Sequence, residues 1–134
     1  MSHEYRLRVY YEDTDAGGIV YYANYLKFIE RARTEALLAA GMSQTELRAR
    51  FGILFAVREV AATYLRPARL EDQLVVTTRV APPGAARLVM AQDVWRGETR
   101  LVACRVTLAC LGEDGRPARM PAALREALAR LPAI

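Results

Sequence analysis

The feature that most constrains the fold of this chain is one long segment, residues 24–40, with the periodicity of an amphipathic helix. Asn24 is a suitable N-cap for it and Gly41 a suitable terminating residue. The apolar arc of the helix is broad and contains Leu26, Ile29, Ala32, Ala36, Leu37 and Ala40. Glu30 lies at the edge of that arc and Arg33 inside it, and their spacing allows the two to pair. We therefore expect a helix that other elements cover over most of its circumference.

Alternating apolar and polar residues predict strands on both sides of this helix. The predicted strands cover Tyr5 to Tyr11 and residues 53–64, 73–81, 87–95 and 99–111. The connectors at residues 82–84 and 96–98 are short, which favours antiparallel hairpins. Shorter helices are expected at residues 43–50 and 122–131. This order predicts an α+β fold, with one long helix on one face of an antiparallel sheet, in a single domain spanning residues 1–134.

Apolar residues occur on both faces of the predicted strands, and Val75, Val89, Val94 and Leu108 are examples. The helix can cover only one face of the sheet. The second apolar face therefore predicts self-association into a homo-oligomer.

Composition excludes several classes of protein. Of the 134 residues, 53% are hydrophobic and 25% are charged, which is typical of a globular domain rather than a disordered chain. No apolar run is long enough to span a membrane and no signal-peptide core follows Met1, so a cytoplasmic location is expected. The formal net charge is +4, but the arginines are scattered along the chain, which argues against a nucleic-acid-binding stripe.

The scarcity of histidine and cysteine restricts the chemistry. His3 is the only histidine and lies outside any motif, so we expect neither a histidine-based triad nor a multi-histidine metal site. Cys104 and Cys110 fall on one face of a predicted strand, about 20 Å apart, which is too far for a disulfide. We interpret both as reduced core residues. Any reaction must then rely on carboxylates, tyrosines, arginines or backbone dipoles.

Residues 11–25 carry the strongest chemical signal. Asp13 and Asp15 follow the first strand, Gly17 and Gly18 allow the backbone to approach a ligand closely, and a helix then begins. A helix N-terminus presents free N–H groups and a partial positive charge that can stabilise an oxyanion. A nearby carboxylate can act as a base or a nucleophile, so these parts suit attack on an activated acyl group. The alternative is that both aspartates only cap a turn.

This segment, continued through Glu35, resembles the hot-dog-fold thioesterases of the YbgC and 4-hydroxybenzoyl-CoA thioesterase family. The segment from Tyr64 to Asp72 resembles the same family, and with the strand order the similarity covers nearly the whole chain. The resemblance implies a five-stranded antiparallel sheet wrapped around the long helix, dimers with a continuous sheet, and further assembly into homotetramers. It also implies hydrolysis of acyl-CoA thioesters without a metal ion or a cofactor.

The resemblance assigns roles to individual residues. Asp15 matches the family's catalytic aspartate, either as a nucleophile that forms a mixed anhydride or as a general base on water, and Asp13 matches a structural aspartate. Tyr22 stands where YbgC proteins usually have histidine and agrees with the 4-hydroxybenzoyl-CoA thioesterase branch, in which the backbone N–H at this position polarises the thioester carbonyl. Glu30 and Arg33 also match the family, and we expect a supporting ion pair there rather than a catalyst.

Three further residues are candidates for substrate binding. Gly18 allows close backbone approach, Tyr25 is a candidate for either the acyl pocket or the aromatic core, and Arg87 is a candidate for binding the phosphates of CoA. The expected partners are acyl-CoA as substrate and acyl carrier protein. The alternative function is a non-catalytic scaffold that binds acyl-CoA or acyl carrier protein, which tight binding without release of thiol would favour.

Overall fold

The computed structural model of this protein describes residues 1–134. The helices are α1 (Asn24–Ala39), α2 (Gln44–Phe51) and α3 (Ala122–Ala129). The strands are β1 (His3–Arg8), β2 (Ile53–Tyr64), β3 (Gln73–Val80), β4 (Arg87–Arg96) and β5 (Thr99–Gly112). A short 3-10 turn, Tyr11–Asp13, follows β1. None of the helices is both long and apolar enough to cross a membrane.

The five strands form one antiparallel sheet in the order β1-β3-β4-β5-β2, so β1 and β2 are its two edges. Helix α1 lies on one face of the sheet and packs against β1, β3 and β4. This confirms the expected fold class, an α+β fold with five antiparallel strands wrapped around one long helix. The predicted bounds of β2 to β5 agree with the structure within one residue, because alternation along a strand is a local signal.

The buried stripe of α1 differs from the predicted apolar arc. Tyr25, Ala32 and Ala36 lie at its centre, and Phe28 is fully buried beside them. Leu26 was expected in the arc, but its side chain is 38% exposed. The reason is that α1 meets β1, β3 and β4 with the side that carries Tyr25 and Phe28, and Leu26 lies about 100° or more around the helix from both.

The expected pair between Glu30 and Arg33 does not form. Arg33 instead donates a hydrogen bond from Nη1 to Oε1 of Gln92 at 3.1 Å, and Glu30 accepts one from the hydroxyl of Thr34 at 2.6 Å. Gln92 is fully buried, and its Nε2 donates to the backbone carbonyl of Ile29 at 3.0 Å. Burial lowers the pKa of Arg33 from its usual value, although the charge of Glu30 opposes this. Gln92 therefore clamps α1 to the middle of the sheet.

Two predicted details at the start of the chain are wrong. Strand β1 ends at Arg8 rather than at Tyr11, because the carboxylate of Asp13 accepts a hydrogen bond from the N–H of Tyr10 at 2.8 Å and the 3-10 turn follows. Asn24 is not the N-cap of α1, since Ala23 occupies that position. The side-chain amide of Asn24 instead donates to the backbone carbonyl of Asp13 at 2.9 Å, which ties the helix start to the 3-10 turn.

Edge strand β2 presents an apolar surface that α1 leaves uncovered. Five of its residues lie opposite buried residues of β5 and share their face of the sheet. We call them the β2 strip: Phe55, Val57, Val60, Ala62 and Tyr64. Val57, Val60 and Tyr64 are 49%, 39% and 43% exposed. A β-bulge at Arg58 keeps Val57 and Val60 on the same face although their spacing is odd.

The sequence predicts self-association from four apolar residues of the strands. In the structure, two of them lie on the outer face of the sheet and two lie in the core. Val75 and Val89 are half-buried, as expected for an outer face of the sheet. Val94 and Leu108 are 0% and 4% exposed and belong to the core, so they offer no surface. On the sheet, the β2 strip contributes exposed apolar surface through Val57, Val60 and Tyr64.

The two cysteines behave as expected. Cys104 and Cys110 are free thiols, 3% and 0% exposed, on the helix-facing side of β5. Burial raises the pKa of the Cys104 thiol to about 11 and also raises that of Cys110. Both thiols therefore stay protonated near neutral pH, as core residues do.

Candidate active site

Asp15 lies at the start of a tight hairpin that follows the 3-10 turn. Thr14 and Val20 form an antiparallel bridge, and the N–H of Asp15 donates to the carbonyl of Ile19 at 3.0 Å. The N–H of Gly18 donates back to the carbonyl of Asp15, and Gly18 has a φ of 78°. This is a three-residue hairpin loop with its last residue in the left-handed region, which explains glycine at that position.

The carboxylate of Asp15 both caps the turn and remains available. Its Oδ1 accepts a hydrogen bond from the N–H of Gly17 at 2.8 Å, so the turn-capping interpretation is correct for one oxygen. Its Oδ2 accepts no hydrogen bond, and the residue is exposed. The turn thus orients the carboxylate without using both of its oxygens.

The start of α1 presents two unpaired backbone N–H groups. The N–H of Tyr21 donates to the carbonyl of Asp13 at 3.0 Å, and that of Asn24 donates to the carbonyl of Tyr21 at 2.8 Å. Between them, the N–H groups of Tyr22 and Ala23 have no acceptor. They lie at the positive end of a 16-residue helix, which favours binding of a negatively charged oxygen.

A crevice of about 260 Å³ opens beside these N–H groups. Its lining consists of aromatic and apolar residues and one arginine: Ile19, Val20, Tyr22, Tyr25, Tyr64, Leu65, Arg66 and Pro67. The rings of Tyr22 and Tyr64 meet edge to face with their centroids 6.0 Å apart, and those of Tyr25 and Tyr64 are 5.7 Å apart. The crevice is therefore a mainly apolar site next to a concentrated group of hydrogen-bond donors, as ligand sites commonly are.

Tyr25 belongs to both the core and the crevice. Its ring is 3% exposed, and its hydroxyl oxygen accepts a hydrogen bond from the N–H of Ala68 at 2.9 Å. Burial raises the pKa of Tyr25, although this hydrogen bond opposes the change. Burial also raises the pKa of Tyr64, and Cys104, Tyr22 and Tyr25 add to the effect. Both phenols are therefore neutral near pH 7 and act by shape and hydrogen bonding.

A larger cavity, of about 500 Å³, lies between α1, α2 and β2, with Arg33, Leu37 and Val57 among its lining residues. Its lining also reaches the start of α2, where the N–H groups of Gln44 and Thr45 have no acceptor, but that helix has only eight residues. Size alone therefore does not identify the reactive site. The smaller crevice is the better candidate because its free N–H groups lie at the start of the 16-residue helix and its lining includes Ile19 and Val20 of the hairpin that carries Asp15.

The structure brings only some of the predicted site residues together. Tyr22 and Tyr25 line the crevice, whereas Asp15 and Gly18 lie in the adjacent hairpin and are not part of its lining. Arg87 lies opposite Ala109 on β5, seven residues along that strand from the partner of Tyr64, so the two ends are about 24 Å apart. The prediction for Arg87 therefore gains no support from the position of this crevice in one chain.

Sequence reasoning did not single out Arg66 as a residue of the site. The sequence indicates the segment from Tyr64 to Asp72 only as a part of the family resemblance. The available signal was a polar, proline-containing connector that immediately follows a long strand. Its position beside α1 depends on contacts with residues far away in the chain, as the hydrogen bond between Tyr25 and Ala68 shows.

Comparisons with known proteins agree with this fold. A family model described as the thioesterase superfamily matches residues 17–103. The acyl-CoA thioesterase YbgC of Haemophilus influenzae is 42% identical over 105 residues, which cover 78% of this chain and 77% of that protein. The acyl-CoA thioester hydrolase YbgC of Escherichia coli O6:H1 is 45% identical over 96 residues, which cover 72% and 71%.

Solved structures show the same architecture. A probable thioesterase from Bartonella henselae is 37% identical and superposes with a TM-score of 0.86, over 90% of this chain and 100% of that one. The fold and the sequence together define a thioester hydrolase with the hot-dog fold. The chain belongs to the thioesterase superfamily, and YbgC proteins are among its relatives.

Proposed function

We propose that this enzyme hydrolyses acyl-CoA thioesters to a free acid and CoA, with Asp15 as the reacting carboxylate and the backbone N–H of Tyr22 as the oxyanion donor. The observation that carries the proposal is the pair of unpaired N–H groups at the start of α1 beside a tyrosine-lined crevice. The names of the relatives from H. influenzae and E. coli support acyl-CoA as the substrate. A cytoplasmic location follows from that choice of substrate.

The unpaired N–H groups match the chemistry of acyl transfer. Attack on a thioester carbonyl converts its oxygen into an oxyanion, and preorganised backbone donors stabilise that charge. Loss of one such donor typically costs on the order of 10²–10³ in rate. The thiolate of CoA is a good leaving group, so a strong general acid is unnecessary. A site without histidine is therefore sufficient, and the side chain of Tyr22 need not take part.

Asp15 has two possible roles. As a nucleophile, its carboxylate oxygen forms a bond to the thioester carbon, the carbon–sulfur bond breaks, and water then hydrolyses the mixed anhydride. As a general base, it removes a proton from the water that attacks the same carbon. The free Oδ2 serves either role, while the hydrogen bond from Gly17 orients the group. Gly18 permits this turn through its backbone conformation, and Tyr25 contributes a wall of the acyl site.

The active unit is a homodimer formed through edge strand β2, with further assembly into a homotetramer. The 12-residue edge and the exposed β2 strip support this proposal, because a long apolar edge is a template for pairing with a second chain. Antiparallel pairing of two β2 strands produces a continuous ten-stranded sheet. A second copy also adds a wall beside Tyr64, so the site becomes more enclosed than in one chain. Acyl carrier protein presents the same thioester and is the second carrier to test.

The experiment measures release of free thiol from short, long and aromatic acyl-CoAs and from an acyl carrier protein thioester. Asp15→Asn keeps the shape of the side chain and should lower kcat by roughly 10²–10⁴. Asp13→Asn is the matched control, because its carboxylate only accepts the N–H of Tyr10, and it should keep most of the activity. Equal turnover by wild type and a folded Asp15→Asn variant would remove Asp15 from the mechanism.

A further inference from the structure

The connector between β2 and β3, residues 65–72, is held rigidly against the start of α1. We call it the arginine loop. The N–H of Ala68 donates to the hydroxyl of Tyr25, and its carbonyl accepts the N–H of Val20 at 2.9 Å. At its other end, Asp72 accepts hydrogen bonds from the N–H of Arg69 and from the guanidinium of Arg96, both at 2.8 Å. The loop is thus a preorganised part of the site.

Two guanidinium groups of the arginine loop have no partner. Arg66 and Arg69 are exposed, and neither has a carboxylate oxygen within 4.0 Å. Arg69 is close enough to Asp72 to contribute to its lowered pKa, but Arg96 makes the direct ion pair with that carboxylate. The two arginines, three positions apart on a rigid loop, place two guanidinium groups without an ion-pair partner on one part of the surface.

The two arginines lie where the phosphates of a bound acyl-CoA are expected, given the length of the substrate. Arg66 belongs to the lining of the crevice, and Arg69 forms a bridge with Ile19, in the hairpin that leads to Tyr22. The backbone from Ile19 to Tyr22 spans at most about 10 Å. The phosphates of CoA are separated from the sulfur by the whole pantetheine arm, so a receptor for them must lie on the solvent side of the reacting carbon, where Arg66 and Arg69 are both exposed. Leu65, Arg66 and Pro67 line the crevice, and the rest of the arginine loop, residues 68–72, lies beyond it.

We propose that Arg66 and Arg69 bind the phosphate groups of the CoA carrier. The inference rests on the proposed function, since it assumes that the thioester reacts at the start of α1. Arginine is suited to this task because its planar guanidinium can bind two phosphate oxygens at once. Arg87, which the sequence indicated for the same role, lies at the opposite end of the sheet from the crevice of its own chain.

The test compares two substrates that share one acyl group, an acyl-CoA and the corresponding acyl-pantetheine, which has no phosphate. The double variant R66A/R69A should lower the ratio of kcat/KM for acyl-CoA to that for acyl-pantetheine at least about tenfold, which corresponds to about 1.4 kcal/mol. The variant with both arginines replaced by lysine should lose less, because it keeps the charge. R116A is the matched control: Arg116 is exposed and unpaired in the loop after β5, and it should keep the wild-type ratio.

A titration with free CoA makes the test independent of turnover. The Kd of CoA should rise about tenfold in R66A/R69A, while thermal unfolding confirms that the variant is folded. If wild type releases no thiol from any acyl-CoA, the proposed function fails, and the titration still decides whether the arginine loop binds CoA. A wild-type ratio and a wild-type Kd in the double variant would overturn the inference, as would an equal or larger loss in R87A.

Discussion

The two edges of the sheet are built differently. β1 is six residues long, and its outward side chains are the charged residues Glu4, Arg6 and Arg8. β2 is twelve residues long, and Val57 and Val60 are exposed on its helix-facing side. Short, charged edges resist pairing with other chains, whereas long apolar edges favour it. The molecule therefore has one edge suited to water and one suited to a partner.

Helix α1 also covers the two halves of the sheet unequally. Helix α1 covers β1, β3 and β4, and Gln92 clamps it there through Arg33 and the carbonyl of Ile29. The half that contains β2 has no such clamp and holds the tyrosine crevice at the end of that strand. The long helix and its clamp therefore belong to the covered half, while the features proposed for catalysis lie at the border of the open half.

The largest expected effect comes from placing charge on the β2 strip. V57D/V60D should shift the mass in solution from that of a dimer or tetramer to that of one chain, because two carboxylates disfavour burial against a second copy. Thiol release should fall by at least about 10² if the site is completed by that copy. Sedimentation and the thioesterase assay measure the two effects.

The opposite edge supplies the control for that variant. R6D also places a new carboxylate on an edge strand, but on short, polar β1, where Arg6 is already exposed. It should leave the mass in solution unchanged. A wild-type enzyme that sediments as a single chain would contradict the proposed dimer, whatever the variants do.

An intermediate effect is expected in the covered half. Q92L leaves the half-buried guanidinium of Arg33 without its acceptor, which should lower the free energy of unfolding by about 2 kcal/mol. Replacing both partners, as R33L/Q92L, should restore a part of that loss, because no charged group is then left unpaired. Urea unfolding at one protein concentration measures the stability of both variants. The control is Q73L, at an exposed position of β3, which should change the free energy of unfolding by less than about 0.5 kcal/mol. A stability of Q92L equal to that of wild type would show that the clamp contributes nothing.

The smallest effect concerns Asp72, at the end of the connector that leads from edge strand β2 to β3 in the half covered by α1. Burial alone would raise the pKa of Asp72, but hydrogen bonds from Arg69 and Arg96 hold it below its usual value. A carboxyl group with a lowered pKa in the folded state stabilises the protein above its unfolded pKa, near about 4, and loses that contribution as the pH falls further. D72N should therefore be less stable than wild type by less than about 1 kcal/mol at pH 7. Urea unfolding from pH 7 to pH 3 should show the difference shrinking below about pH 4, and a constant difference would contradict the role of the charge.

Residues 11–25 are the part of the candidate site that could be predicted from the sequence. It identified Asp15, Gly18 and Tyr22 as a group, because they are close together in the chain and their turn chemistry is local. It could not place Arg66 beside Tyr22, because 44 residues separate them and only the packing of the arginine loop brings them together. It indicated Arg87 instead, which the sheet carries to its other end.

By itself, the sequence determined the number, type and bounds of the main elements and the sequence motif around Asp15. These depend on periodicity and turn chemistry, which act over a few residues. Only the tertiary structure decided that Arg33 bonds to Gln92, 59 residues away, rather than to Glu30, that Phe28 rather than Leu26 is buried, and that β2 is an uncovered edge. Each of these outcomes depends on which side of α1 meets the sheet, and that choice is made by the packing of distant residues.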